Sequence, residues 1–218
     1  MTDRPPVDPV PPYLVAHSSQ LDELSRRLIA ETKALGDVSG MQISPDEGAF
    51  LTLVARVSKA ANAVEVGTFT GYSAMCIARG LRDDGHLLCC DVSQEWTRIA
   101  GRYWAEAGLA DKIELRLAPA AETLQALPKE PIFDLAFIDA DKGGYPTYWD
   151  EIVPRVRSGG VILIDNVLQR NRVADPEDAG DSDQVRAMRA FNDKVVADPR
   201  VEVAMLPIRD GVTMAVKR

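Results

Sequence analysis

Ala63-Val64-Glu65-Val66-Gly67-Thr68-Phe69-Thr70-Gly71-Tyr72-Ser73 is the stretch on which the fold turns. The apolar run of Ala63, Val64 and Val66 reads as a buried strand, broken by Gly67 and Gly71 and followed by a helical pattern from Ser73 to Leu81. Strand, glycine turn and helix together build a nucleotide site in an open α/β sheet. The glycines admit a ligand close to the backbone, and the helix amino end offers unpaired N–H groups. A dinucleotide loop would read G-x-G-x-x-G, but Thr68, Phe69 and Thr70 separate the two glycines here. Glu65 inside the strand end would repel a pyrophosphate and could balance a cation. A plain βα turn fits the pattern; the sharper reading is a site for a cationic nucleoside such as S-adenosylmethionine.

Working outward, the flanking segments supply a sheet. Upstream, Leu21, Leu24, Leu28, Ile29 and Leu35 recur at helical spacing over Ser18–Leu35. Ser44-Pro45-Asp46-Glu47 has the form of a capping box, opening a helix that carries Phe50, Leu51, Leu53, Val54 and Val57. Downstream, strands are expected at His86–Asp91, Lys112–Leu117 and Phe133–Ile138, and after Gly159-Gly160 turns the chain into Val161-Ile162-Leu163-Ile164. Helices are expected at Gln94–Ala107, Ala120–Leu127 and Tyr148–Val156, and in a segment ending near Ala197. Val201–Leu206 and Gly211–Val216 close the chain across the Arg209-Asp210-Gly211 turn, too short for a parallel crossover. The expectation is one α/β domain, residues 15–218: a mostly parallel seven-stranded sheet with one antiparallel strand and helices on both faces.

Composition narrows the function classes. The net charge of −8 argues against binding nucleic acid by counterion release. No apolar run is long enough to span a bilayer. Residues 1–14, rich in proline and polar at the start, read as a mobile arm and not as a signal peptide. Cys76, Cys89 and Cys90 are odd in number and lack metal-ligand spacing, so they read as reduced core residues of a cytoplasmic protein.

The expected strands end in acids at Glu65, Asp91, Asp139 and Asp165, and ligands of such sheets bind beyond the strands' carboxyl ends. Any one could be a solvated loop acid; four at equivalent places point to a site. Asp91 after the second strand suits the two hydroxyls of a ribose. Asp139 with Asp165-Asn166 offers hard oxygen ligands for Mg²⁺ or a similar divalent ion. Lys142, one turn beyond Asp139, would be a proton acceptor beside that ion, or else a surface lysine.

These residues resemble the cation-dependent class I O-methyltransferases, the family of caffeoyl-coenzyme A O-methyltransferase and its small bacterial relatives, with catechol O-methyltransferase more distant. The matching stretches are MQISPDEGAFL from Met41, VEVGTFTGYS from Val64, DVS at Asp91, FIDADKGGY from Phe137, GGVILIDN from Gly159 and LPIRDGVT from Leu206. The resemblance implies a Rossmann-like methyltransferase fold. It implies that Glu65, Gly67, Thr68, Ser73, Asp91, Ala120 and Asp139 surround S-adenosylmethionine, with Ile43 touching it through backbone. It further implies that Asp139, Asp165 and Asn166 bind the metal (Mg²⁺, or Mn²⁺ or Ca²⁺) and that Lys142 deprotonates the substrate. Met41, Tyr145, Arg170 and Asp210 are its candidate substrate contacts, and a homodimer its expected assembly.

Plant members carry a lysine near the amino terminus and a tryptophan-asparagine pair after the Asp-Asn ligands, both tied to the coenzyme A ester. This chain has Ser18 and Gln169-Arg170 there. The loop 167–183 that follows the ligands is mixed in charge, with acids in its far half that would repel a polyphosphate ester. Arg170 and Arg172 could grip an acceptor's carboxylate, or simply pair with loop acids. Together these departures favour a free catechol-like phenolic as the acceptor over a coenzyme A thioester. The rival classes are a nicotinamide oxidoreductase, which lacks its glycine motif here, and a non-catalytic binding protein, which would need a broken site.

Overall fold

The computed structural model describes residues 9–174 and 183–218. Seven strands, β1 (Asn62–Val66), β2 (His86–Asp91), β3 (Ile113–Leu117), β4 (Phe133–Ile138), β5 (Val156–Ile164), β6 (Val201–Leu206) and β7 (Val212–Lys217), form one sheet. Its order is β3-β2-β1-β4-β5-β7-β6. Only β7 runs against the rest, paired antiparallel with both β5 and β6. The expected class is therefore the observed one.

Among the described residues the helices are α1 (Val10–Ala16), α2 (Glu23–Lys33), α3 (Pro45–Val57), α4 (Tyr72–Gly80), α5 (Gln94–Glu106), α6 (Ala120–Ala126), α7 (Tyr145–Ile152) and α8 (Asp183–Val196). The period-2 alternation of each strand sorts its side chains between two apolar layers. Ala63, Leu87, Cys89, Leu135 and Phe137 pack with α2 to α5; Val64, Val66, Leu88, Ala136 and Ile138 pack with α6 to α8. All three cysteines are free and buried, and burial pushes the Cys76 and Cys90 thiols up to about 12, so they are packing groups.

Four local readings need correction. Val10–Ala16 forms a helix that spans the end of the segment 1–14 read as an arm and the start of the domain; residues 1–8 lie outside the described residues. α2 starts at Glu23, because Asp22 caps it by accepting from Ser25 N at 2.8 Å; its Leu28 is buried within its own chain. α7 begins at Tyr145, three residues early, since Pro146 is tolerated in a first turn. Gly159 and Gly160 do not precede β5 but lie inside it. The pairing with β4 jumps from Phe133↔Val156 to Leu135↔Val161, and the looped-out residues use Gly159 at φ +74°.

No helix among the described residues is long and apolar enough to cross a membrane. The chain leaves β1 outward to β2 and β3, then returns to β4 and β5 on β1's other side. This reversal between β1 and β4 opens a crevice at the strands' carboxyl ends.

Candidate active site

A single open cavity of 1150 Å³ fills that crevice, lined by the ends of β1, β2, β4 and β5, the segment 40–44, and the hairpin tip at Arg209-Asp210. Gly67 sits at its floor with φ +90°, and a Cβ there would lie 1.8 Å from the Asp139 carbonyl oxygen. Only glycine allows the chain ends of β1 and β4 to approach this closely at the cavity floor. The turn is held from beneath by Asp91. Its Oδ2 accepts from Thr68 N at 2.9 Å and Phe69 N at 2.8 Å, and its Oδ1 accepts from Ser93 N at 2.8 Å. Phe69 and Trp96 meet edge to face with centroids 5.0 Å apart and give the cavity an aromatic wall.

Glu65 does not line the cavity. It is wholly buried below the turn, where Oε2 accepts from Thr68 Oγ1 at 3.0 Å while Oε1 meets no donor. Burial pushes its carboxyl up to about 7, although the Ser73, Thr68 and Cys89 side chains around it oppose the shift. Ile43, Thr68, Ser73 and Ala120 are buried residues that still border the cavity, and Met41 borders it as an exposed side chain. A cluster that sequence reasoning missed holds the 41–43 segment over the glycine turn. Gln42 Nε2 donates to Thr32 Oγ1 at 3.0 Å and to Thr70 Oγ1 at 3.1 Å, and the two threonines bond each other at 2.8 Å.

At the other end of the cavity, Asp139 and Asp165 follow β4 and β5, in register through Asp165 N donating to Ile138 O at 3.0 Å. Lys142 Nζ bridges Asp139 and Asn166: it donates to Asp139 Oδ1 at 3.1 Å, Asn166 Oδ1 at 2.5 Å and Tyr145 Oη at 2.6 Å. Asn166 takes φ +57°, and its N and Nδ2 donate to the two oxygens of Asp165 at 2.6 and 3.0 Å. The amide oxygen is thereby aimed at the same point as Asp139. Tyr145, a candidate substrate contact from sequence, is fully buried and does not border the cavity; its hydroxyl accepts from Lys142 and donates to Asp165 O at 3.1 Å.

Glu47, read from sequence as half of a capping box, lies here instead. Ser44 makes no side-chain cap; its Oγ accepts from Arg209 Nε at 2.7 Å, and Arg209 also pairs with Asp46. Glu47 is 2% exposed and stands against Asp165. Burial, with Asp165 and Asp139 close by, pushes its carboxyl up to about 9; burial and Asp139 push Asp165 up to about 7, and burial raises Asp139. These carboxylates are short of positive charge.

No group of three or more His, Cys, Asp and Glu side chains that would hold a metal occurs among the described residues. The expected set is different in kind, two carboxylates and an amide. Its hard oxygens suit a divalent ion, and an ammonium already bridges two of the three side chains. Arg170 and Asp210 meet at the mouth, where Arg170 N donates to Asp210 Oδ1.

A family model described as O-methyltransferase matches residues 15–218. The chain belongs to the O-methyltransferase family. Among relatives, a probable caffeoyl-CoA O-methyltransferase 1 of Dictyostelium discoideum is 42% identical over 208 residues, covering 94% of this chain and 90% of that protein. An O-methyltransferase from Bacillus cereus, solved with S-adenosylhomocysteine (SAH), has a TM-score of 0.85 and 31% identity, covering 95% of this chain and 96% of that one. The SAH-bound Podospora anserina methyltransferase PaMTH1 has a TM-score of 0.86 and 27% identity, covering 96% and 94%. Family membership accounts for the glycine turn lacking G-x-G-x-x-G and sets aside the oxidoreductase reading.

Proposed function

We propose that this O-methyltransferase moves the methyl group of S-adenosylmethionine to one hydroxyl of a catechol-like phenolic, with a divalent cation at Asp139, Asp165 and Asn166. The observation that carries the reading is that a glycine-turn nucleoside site and the Lys142–Asp139–Asn166 cluster open into one cavity. The two structural relatives solved with SAH support the methyl donor.

The chain's residues divide the work by place. Asp91 and the Gly67 turn receive the adenosyl end, and the segment held by Gln42 roofs the donor. Lys142, held by Tyr145, receives the phenolic proton as a neutral amine, after giving up the proton it carries as the ammonium that donates to Asp139 and Asn166 in this structure. Transfer forms an O–CH₃ bond and breaks the S–CH₃ bond, leaving a neutral thioether. Holding donor and acceptor in line in a confined space provides much of the acceleration. A bound divalent cation would supply Lewis-acid polarisation of the vicinal oxygens and would draw Asp139 and Asn166 away from Lys142.

The Dictyostelium relative's name makes a caffeoyl thioester the second reading. Assaying caffeic acid beside caffeoyl-CoA, each with Mg²⁺ and with excess EDTA, tests both points. The expected outcome is Mg²⁺-dependent transfer with higher kcat/KM for caffeic acid. Full activity in EDTA would remove the cation, and a clear preference for the thioester would change the acceptor.

A further inference from the structure

Glu47 is the one buried acid beside the cavity's cation end that the reading above leaves without a role. Its place in the first turn of α3 suits a helix cap. The cap is not reciprocated, because Ser44 Oγ has turned to Arg209. A surface capping residue would remain in water, yet Glu47 is 2% exposed, borders the cavity, and has Oε1 without any donor. Its neighbour there is Asp165, another acceptor. Two carboxyl groups set against each other away from water need a shared proton or a cation between or beside them. Lys142 does not fill that need for Glu47, since its three bonds go to Asp139, Tyr145 and Asn166.

We propose that Glu47 supports the divalent-cation centre from outside its ligand set, adding negative charge beside Asp165. It is a positioning residue, acting from α3 on a ligand carried by β5, and so ties the helix layer to the sheet at the reacting end of the cavity. The proposal rests on the reading that Asp139, Asp165 and Asn166 bind a cation.

The test is Mn²⁺ binding to the full chain, followed by the loss of the free-ion electron paramagnetic resonance signal, with SAH binding and Tm measured alongside. Glu47→Gln keeps the shape and removes the charge. It is expected to weaken Mn²⁺ binding by about tenfold or more while SAH affinity is kept and the metal-free Tm does not fall. A helix-capping role alone would lower Tm and leave Mn²⁺ binding as it was. Asp165→Asn separates the role of Glu47 from the presence of the cation site. If it loses Mn²⁺ while Glu47→Gln binds as wild type, the Glu47 proposal is overturned and the cation site stands. If Asp165→Asn binds Mn²⁺ as wild type, the cation site fails and Glu47 with it. Should Glu47→Gln not fold, Glu47→Asp, which shortens the reach, is expected to bind Mn²⁺ more weakly; unchanged binding overturns the proposal equally.

Discussion

Asp91 and Glu65 carry the methyl-donor end of the account at the scale of single residues. An ionised carboxylate has about four acceptor positions, and Asp91 already gives three of them to Thr68 N, Phe69 N and Ser93 N. Sequence suggested two ribose bonds to this side chain; the geometry leaves room for about one, with the rest of its effect exerted through the glycine turn. Asp91→Ala should weaken S-adenosylmethionine binding at least about tenfold by calorimetry and also lower Tm; unchanged affinity and Tm would contradict this. Glu65 gives a pH prediction. Its folded carboxyl is raised from 4.5 to about 7 by burial, so the native state holds the proton more tightly than the unfolded state. Its contribution is present below the unfolded value and is lost as pH rises through the folded one, on the order of 1–3 kcal/mol at full ionisation. Tm of the wild type should therefore fall between pH 4.5 and about 7 more steeply than that of Glu65→Gln. Parallel profiles would rule out a buried proton at Glu65.

Among elements, the β1–α4 turn bears the greatest constraint. Gly67→Ala would place a Cβ 1.8 Å from the Asp139 carbonyl at a φ that L-residues avoid. A loss of about 3 kcal/mol or more is expected in denaturant unfolding, together with loss of SAH binding; a variant as stable as wild type would show that β1 and β4 do not abut here. Strand positions were legible because each is a short apolar run whose alternation meets a helix layer on either side. The β5 irregularity was not, since Gly159-Gly160 reads as a turn until pairing with Phe133 and Leu135 shows both flanks in one strand. The helix α1 was masked by Pro9, Pro11 and Pro12, which look disordering although a first helical turn admits proline. Asp139, Lys142, Asp165 and Asn166 were legible from strand ends and family resemblance. Glu47 was not: S-x-x-E has a sufficient local meaning, and its pairing with Asp165 lies 118 positions along the chain. Gln42 escaped for the same reason, its partners Thr32 and Thr70 being brought together only by packing.

For the whole molecule, the cavity is walled by links between distant parts of the chain. Arg209 joins the β6–β7 hairpin to Ser44 and Asp46 at the start of α3, and Asp210 accepts from Arg170 N beyond β5. The sheet's carboxyl edge thus has three walls, and the nucleoside end and the Lys142 end face each other across one space. A crystal of the full chain grown with SAH, Mn²⁺ and a catechol would read out that juxtaposition. The expected result is an anomalous Mn²⁺ peak at coordination distance from Asp139, Asp165 and Asn166, with the adenosyl group over the Gly67 turn beside Asp91 and a catechol hydroxyl near Lys142. Mn²⁺ bound away from these three residues, or SAH bound outside this cavity, would contradict it.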